Sequence, residues 1–177
     1  NLAIGVPMMD LSVGHSGLNP TGMTGKLVVV DATNGSIIKN INLPKMNHNT
    51  IYSPNGLEIW VPQMDKINSK TLVYDASTNA LKNTINTGKM SAELTFSSDG
   101  TKAYVCNGSD NNVTVINVST KAIIKTIPVG LNPVGAWAGS NNKMFVDNED
   151  GQSISVIDVA TDAVSETIPL GFMPGIA

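Results

Sequence analysis

The constraint that governs this chain is repetition. Four segments share one pattern: VVVDATNGSIIKNINLP, LVYDASTNALKNTINTG, TVINVSTKAIIKTIPVG and SVIDVATDAVSETIPLG. Their polar anchors, Asp31, Asp75, Asn117 and Asp158, lie 44, 42 and 41 residues apart. A period of that length, built from short β-branched runs, is the mark of a β-propeller in which one repeat is one blade. A single blade cannot bury both of its faces, so each needs a neighbour on either side.

Each repeat resolves into four short strands. The first reads HNTIYS (48–53), AELTFS (92–97) and VGAWAG (134–139), and the reversals SPNG, SSDG and GSNN follow. Gly, Asn and Asp suit those turns because they tolerate positive φ. LEIWVP, KAYVCN and KMFVDN form the second strand, the VVVD-type run the third, and SIIKNINL, ALKNTINT, AIIKTIPV and AVSETIPL the fourth. Ile41, Ile85, Ile127 and Ile168 alternate with polar neighbours, as a strand with one buried face requires. Asn34, Thr78, Thr120 and Thr161, three residues after each anchor, pair with it to hold the turn backbone from both ends. No window carries apolar residues at helical spacing. The expected fold is all-β: a β-propeller of four-stranded antiparallel blades, divided at about 1–43, 44–87, 88–129 and 130–170, with 171–177 opening another.

The ends of the chain bear on closure. LAIGVPMMD (2–10) matches LEIWVPQMD (57–65), and GFMPGIA (171–177) matches GLNPVGA (130–136). The last strand would then supply the first strand that the opening blade lacks. Either the blades close a ring of four, or they form a segment of a ring of about seven or eight. A final strand that stops before its turn favours the segment.

Only 14% of residues are charged and the net charge is −3, with no basic cluster, which argues against nucleic acid and anionic membrane as partners. No run of about 18 apolar residues is present to span a bilayer. The polar residues are mostly Asn, Ser, Thr and Gly, a balance typical of turn-rich proteins of the periplasm or cell surface. Cys106 is the single cysteine; within the run AYVC it reads as a buried, inert thiol.

The stretch SSDGTKAYVCNGSDNNVTVINVST (97–120) resembles the YVTN family of β-propeller repeats, whose signature joins an SPDG-type turn to YVTN and then to VSVIDT. Residues 53–78 and 141–161 are looser copies, and the resemblance covers the chain except residues 11–25. It implies the propeller fold. It does not assign chemistry, because similar repeats serve periplasmic proteins, surface-layer proteins, lactonase-like enzymes and a haem d1 domain.

Candidate site residues are few. His48 heads a first strand, and first strands line the channel of a propeller. Asn49 and Glu93 take the next position in successive blades, so all three are expected at a channel mouth. His15 lies in LSVGHSGLNPTGMTG (11–25), an insertion that would project from one rim and carry recognition. Met46, His48 and Met90 raise a copper site, but without a further His or Cys nearby the methionines read as core filler. Asp147, Glu149 and Asp150 read as a solvated acidic turn between the second and third strands rather than a Ca²⁺ loop. No covalent-haem, nucleophile-elbow, zinc-protease or phosphate-loop motif occurs, and no cofactor is expected. The reading is an exported binding or scaffold module that presents rim loops and a channel mouth to a protein, glycan or small ligand. The alternatives are a propeller enzyme and a structural unit of a surface layer that associates through blade edges.

Overall fold

The structure is a computed structural model that describes residues 1–6 and 19–174. Among these residues the chain forms four antiparallel sheets in sequence order. The first comprises β1 (Leu2–Val6), β2 (Gly25–Val30) and β3 (Ile37–Leu43). The second comprises β4 (Met46–Asn47), β5 (Ile51–Tyr52), β6 (Glu58–Met64), β7 (Lys70–Asp75) and β8 (Leu81–Asn86). The third runs β9 (Ser91–Phe96), β10 (Lys102–Asn107), β11 (Asn112–Asn117) and β12 (Ile123–Pro128). The fourth runs β13 (Pro133–Ala138), β14 (Lys143–Asn148), β15 (Ser153–Asp158) and β16 (Ala163–Pro169). A single 3-10 turn, Gly108–Asp110, is the one helical element among the described residues, and no helix there is long and apolar enough to cross a membrane.

The anchors act as the sequence suggests. Asp75 accepts from the backbone N–H of Ser77 at 3.0 Å and of Thr78 at 2.9 Å, and Asn117 accepts from Ser119 at 3.0 Å and Thr120 at 2.9 Å. From the far side of the turn, the Ser36 N–H donates to Asn34 Oδ1 at 2.9 Å. The residue four past each anchor takes the left-handed conformation: Gly35, Asn79, Lys121 and Asp162. For Lys121 and Asp162 that conformation costs about 1–2 kcal/mol each, and packing between sheets offsets it.

Every interior sheet has two apolar faces, and a separate apolar cluster fills each junction. Leu27, Val29 and Leu43 of the first sheet meet Ile59, Val61, Leu72 and Tyr74 of the second. Trp60, Val73 and Ile85 meet Leu94, Ala103, Val105 and Ile116. Tyr104, Val113, Val115 and Ile127 meet Ala136, Met144, Val146 and Ile157. Ile85 and Ile127 are buried as the alternation predicts, whereas Ile41 and Ile168 are half-buried. Cys106 is fully buried, and that burial, with Asp147 and Glu93 adding negative charge nearby, pushes its thiol well above the ordinary cysteine range.

Polar latches cross two of these junctions from the same position. Glu58, Lys102 and Lys143 each pair with their sheet's anchor across the ladder. Glu58 accepts from the Trp60 indole N–H at 3.0 Å and binds Lys121 Nζ of the third sheet at 2.8 Å. The same ammonium lies 5.1 Å from the centre of the Trp60 ring. One junction later the polarity is reversed: Lys102 Nζ donates to Asp162 Oδ2 at 2.7 Å and the Tyr104 hydroxyl donates to Asp162 Oδ1 at 2.8 Å.

Three expectations need correction. The strand expected over 48–53 is broken into β4 and β5, because His48–Thr50 leaves the ladder. β1 pairs two residues out of step with the match to 57–65, since Leu2 lies opposite Val30 as Ile59 lies opposite Tyr74. A slip of two preserves which face each side chain takes, so Ala3 stays buried in either register. Asp147 and Glu149 are buried rather than solvated, Asp147 lying within β14 and accepting from the Gly135 N–H.

Two outcomes follow. Lys102→Glu and Asp162→Lys should each cost about 2 kcal/mol by thermal or urea unfolding, and the double variant should recover more than half of the loss, because the neighbouring junction already works with reversed polarity. The second concerns acid. Ser77 and Thr78 hold the Asp75 carboxyl well below the usual carboxylate range, and Thr33 and Lys143 lower those of Asp31 and Asp158. A lowered folded value means that the stabilisation is full above about pH 4 and is lost as pH falls through that folded value. Asp75→Asn should therefore flatten the acid limb of a stability–pH profile, as Asn117 fills the same role without titrating.

Candidate functional site

His48 and Glu93 are brought together where the second sheet meets the third. His48 sits in the break between β4 and β5, Glu93 sits on β9, and His48 Nδ1 lies 3.6 Å from Glu93 Oε1. Their side chains are only 13% and 15% exposed. Glu93 and Asp147 both act electrostatically on Cys106, which puts a second buried carboxylate in the same neighbourhood. A partly buried imidazole beside a carboxylate can hold a proton or orient a hydrogen bond to a polar ligand.

Asn49 has a different task. Its Nδ2 donates to the Leu94 carbonyl at 3.0 Å, and the Leu94 N–H donates to its Oδ1 at 3.2 Å. The amide thus reaches from the break at 48–50 to the backbone of β9 in the next sheet and ties the two sheets together. His15 lies outside the described residues.

The described methionines of the second and third sheets fill core space. Met46, Met64 and Met90 are buried with Ala92 and Val134 in an apolar cluster of their own. Among the described residues no group of three or more His, Cys, Asp or Glu side chains is placed to hold an ion.

A polar feature that periodicity does not reveal lies beside the break. Asn47 is fully buried and neither end of its amide has a hydrogen-bond partner; the Thr50 hydroxyl and Gln63 Nε2 are also buried and unpaired. Gly5 and Gly25 make room for Asn47: a Cβ on Gly5 would fall 2.6 Å from Asn47 Nδ2, and one on Gly25 2.1 Å from Oδ1. The glycines were the only signal available in the sequence, and they lie far from Asn47 along the chain.

Three open clefts lie along the sheet edges. One of about 540 Å³ is lined by Asn1, Tyr52, Leu57, Ser77 and Lys82 among others, and a second of about 500 Å³ by Leu57, Lys82, Thr101, Ser119 and Lys121. A third, of about 330 Å³, sits at the opposite edge around Asn111, Leu131 and Asp150. None of the three is lined by His48, Asn49 or Glu93.

No protein-family model and no curated protein matches the chain. Solved structures do. Hydrazine synthase of Kuenenia stuttgartiensis is similar with a TM-score of 0.73 and 18% identity, over 85% of this chain and 47% of that one. A functionally unknown protein from Desulfotomaculum acetoxidans DSM 771 is similar with a TM-score of 0.71 and 13% identity, over 87% of this chain and 52% of that one. The chain therefore spans about half the length of these two structures. At such identities the likeness concerns the fold alone.

The division of labour between His48 and Asn49 is testable. Asn49→Ala strands two backbone groups of β9 and should cost about 2 kcal/mol in urea unfolding. His48→Ala should cost under about 1 kcal/mol, since Ala92 serves at the matching place in the next sheet.

Proposed function

We propose that this chain is an exported binding module of YVTN-repeat type. In this reading its four sheets are propeller blades that hold rim turns rigidly and present them to a protein, glycan or small ligand. The observation that carries it is the pair of adjoining clefts of about 540 and 500 Å³, which share Leu57 and Lys82. They lie along one edge, where the 53–57 turn and the anchor turns emerge. Leu57 is 65% exposed between them, an apolar contact framed by hydroxyls and ammonium groups. An open surface of mixed polar and apolar lining, with Leu57, Tyr52 and Val118 among its apolar contacts, suits recognition.

Two further facts support binding over chemistry. Asn49, the third member of the expected polar set, is committed to the Leu94 backbone. The His48–Glu93 pair lies apart from the rim clefts. The pair would serve as a secondary polar contact at the channel mouth. Export fits the abundance of Asn, Ser, Thr and Gly and the low charge.

The test is a binding screen of soluble peptides and oligosaccharides by thermal shift and calorimetry, with two variants. A ligand whose affinity falls tenfold or more with Leu57→Asp and is unchanged with His48→Ala supports the rim. Loss with His48→Ala alone moves the site to the channel mouth, and turnover of a screened compound overturns the binding reading.

A further inference from the structure

One anchor turn departs from the other three at the positions where those three agree. The third and fifth residues after the anchor are Thr78 and Ala80 in the second sheet, Thr120 and Ala122 in the third, and Thr161 and Ala163 in the fourth. In the first sheet they are Asn34 and Ser36, with Gly35 between them. The turn itself does not demand the exchange. Thr78 and Thr120 each accept from the N–H two residues on at 3.4 Å, and Asn34 takes the same bond from Ser36 at 2.9 Å. Both residue types hold the turn. What the exchange creates is Asn-X-Ser, the acceptor signal for an Asn-linked oligosaccharide.

The chain carries this signal four times, with X other than proline, at Asn34, Asn107, Asn112 and Asn117. Three of them are committed to the third sheet. Asn107 is fully buried, and its Nδ2 donates to Asn112 Oδ1 and to Thr114 Oγ1, each at 2.8 Å. It uses both amide hydrogens, so a sugar there would displace one bond and lodge inside the sheet. Asn112 accepts one of those bonds and donates to the Asp110 carbonyl at 3.2 Å, so a sugar on it would enter the same network. Asn117 is an anchor, half-buried in the wall of a cleft, and it holds the N–H groups of Ser119 and Thr120.

Asn34 carries no such ties. It and Ser36 are exposed. Its Oδ1 takes the Ser36 N–H, and its Nδ2 makes a 3.4 Å contact with Asp31 Oδ2. A Cβ on Gly35 would meet nothing within 4 Å, so the turn stands in open space. Asn34 lines neither of the two adjoining clefts, and a sugar on it leaves both of them open.

We propose that Asn34 is the one acceptor of an Asn-linked glycan in the exported chain. In the transfer, Asn34 Nδ2 bonds to the anomeric carbon of an oligosaccharide carried on a lipid diphosphate. The bond from that carbon to the diphosphate oxygen breaks, and the amide proton passes to a base of the transferring enzyme. This rests on the export part of the reading above and not on the rim as a binding site.

The chain is to be secreted behind a cleavable leader from a eukaryotic host, whose secretory lumen supplies the donor and the enzyme. The secreted chain should exceed 18.6 kDa and return to that mass with an amidase that removes Asn-linked glycans. Peptide mapping should find the deamidated position at Asn34 alone. Ser36→Ala keeps the N–H that Asn34 accepts and should abolish the glycan, whereas Ser36→Thr should retain it. Asn34→Thr installs the residue of the other three turns. It should remove the glycan and keep the urea midpoint of the deglycosylated wild type. Chain retained in the cell is extracted and mapped in the same way. A chain without sugar overturns the proposal, as does sugar on Asn107, Asn112 or Asn117, or a glycan that survives Ser36→Ala. Because the leader supplies export, those results refute the acceptor and leave the export reading standing. A chain glycosylated at Asn34 that binds nothing through Leu57 would instead refute the rim alone.

Discussion

Burial of both faces of each sheet against its neighbours is the interaction on which everything else in this molecule depends. A four-stranded sheet of this size has too few apolar residues on either side to stand alone. Three separate clusters, one per junction, remove Trp60, Tyr104, Met144 and their neighbours from water. A large side chain buried in this way contributes about 1.5–3 kcal/mol, so a junction with several of them outweighs any single hydrogen bond in the fold. Stability therefore accrues junction by junction, in the manner of a linear array.

The polar latches decide order rather than supply most of the energy. Glu58 with Lys121, and Lys102 with Asp162, use one pair of positions with opposite polarity. Exchanging two sheets would set like charges against each other. These contacts also account for two strained residues. Lys121 and Asp162 occupy left-handed positions that would suit glycine, and each sends its side chain into the preceding sheet. Asn79, in the same conformation, carries no charge and makes no such ion pair.

Much of the strand plan was legible, because strand, turn and period are local properties. The anchors Asp75 and Asn117, the turns after them, and the burial of Ile85, Ile127 and Cys106 follow from alternation and turn chemistry. The latches were not legible, since Lys102 and Asp162 lie in different repeats and nothing in a single period links them. Asp147 and Glu149 looked solvated because three acidic residues in four suggest a turn; the ladder instead runs through Asp147. Of the candidate site, the approach of His48 to Glu93 was foreseen from matched positions. The capture of Asn49 by the Leu94 backbone was not, because Asn49 and Leu94 lie in different repeats.

The face-to-face packing of sheets can be tested through the one cysteine. Cys106 is fully buried in the cluster between the third and fourth sheets, and no reagent reaches it while they are in contact. The measurement is the rate of thiol labelling of the native protein under stopped-flow conditions. The account predicts labelling only at the rate at which that junction opens, slow in the native chain and at least tenfold faster in Asp162→Ala. Prompt, stoichiometric labelling of the native chain, with no change in the variant, would contradict it.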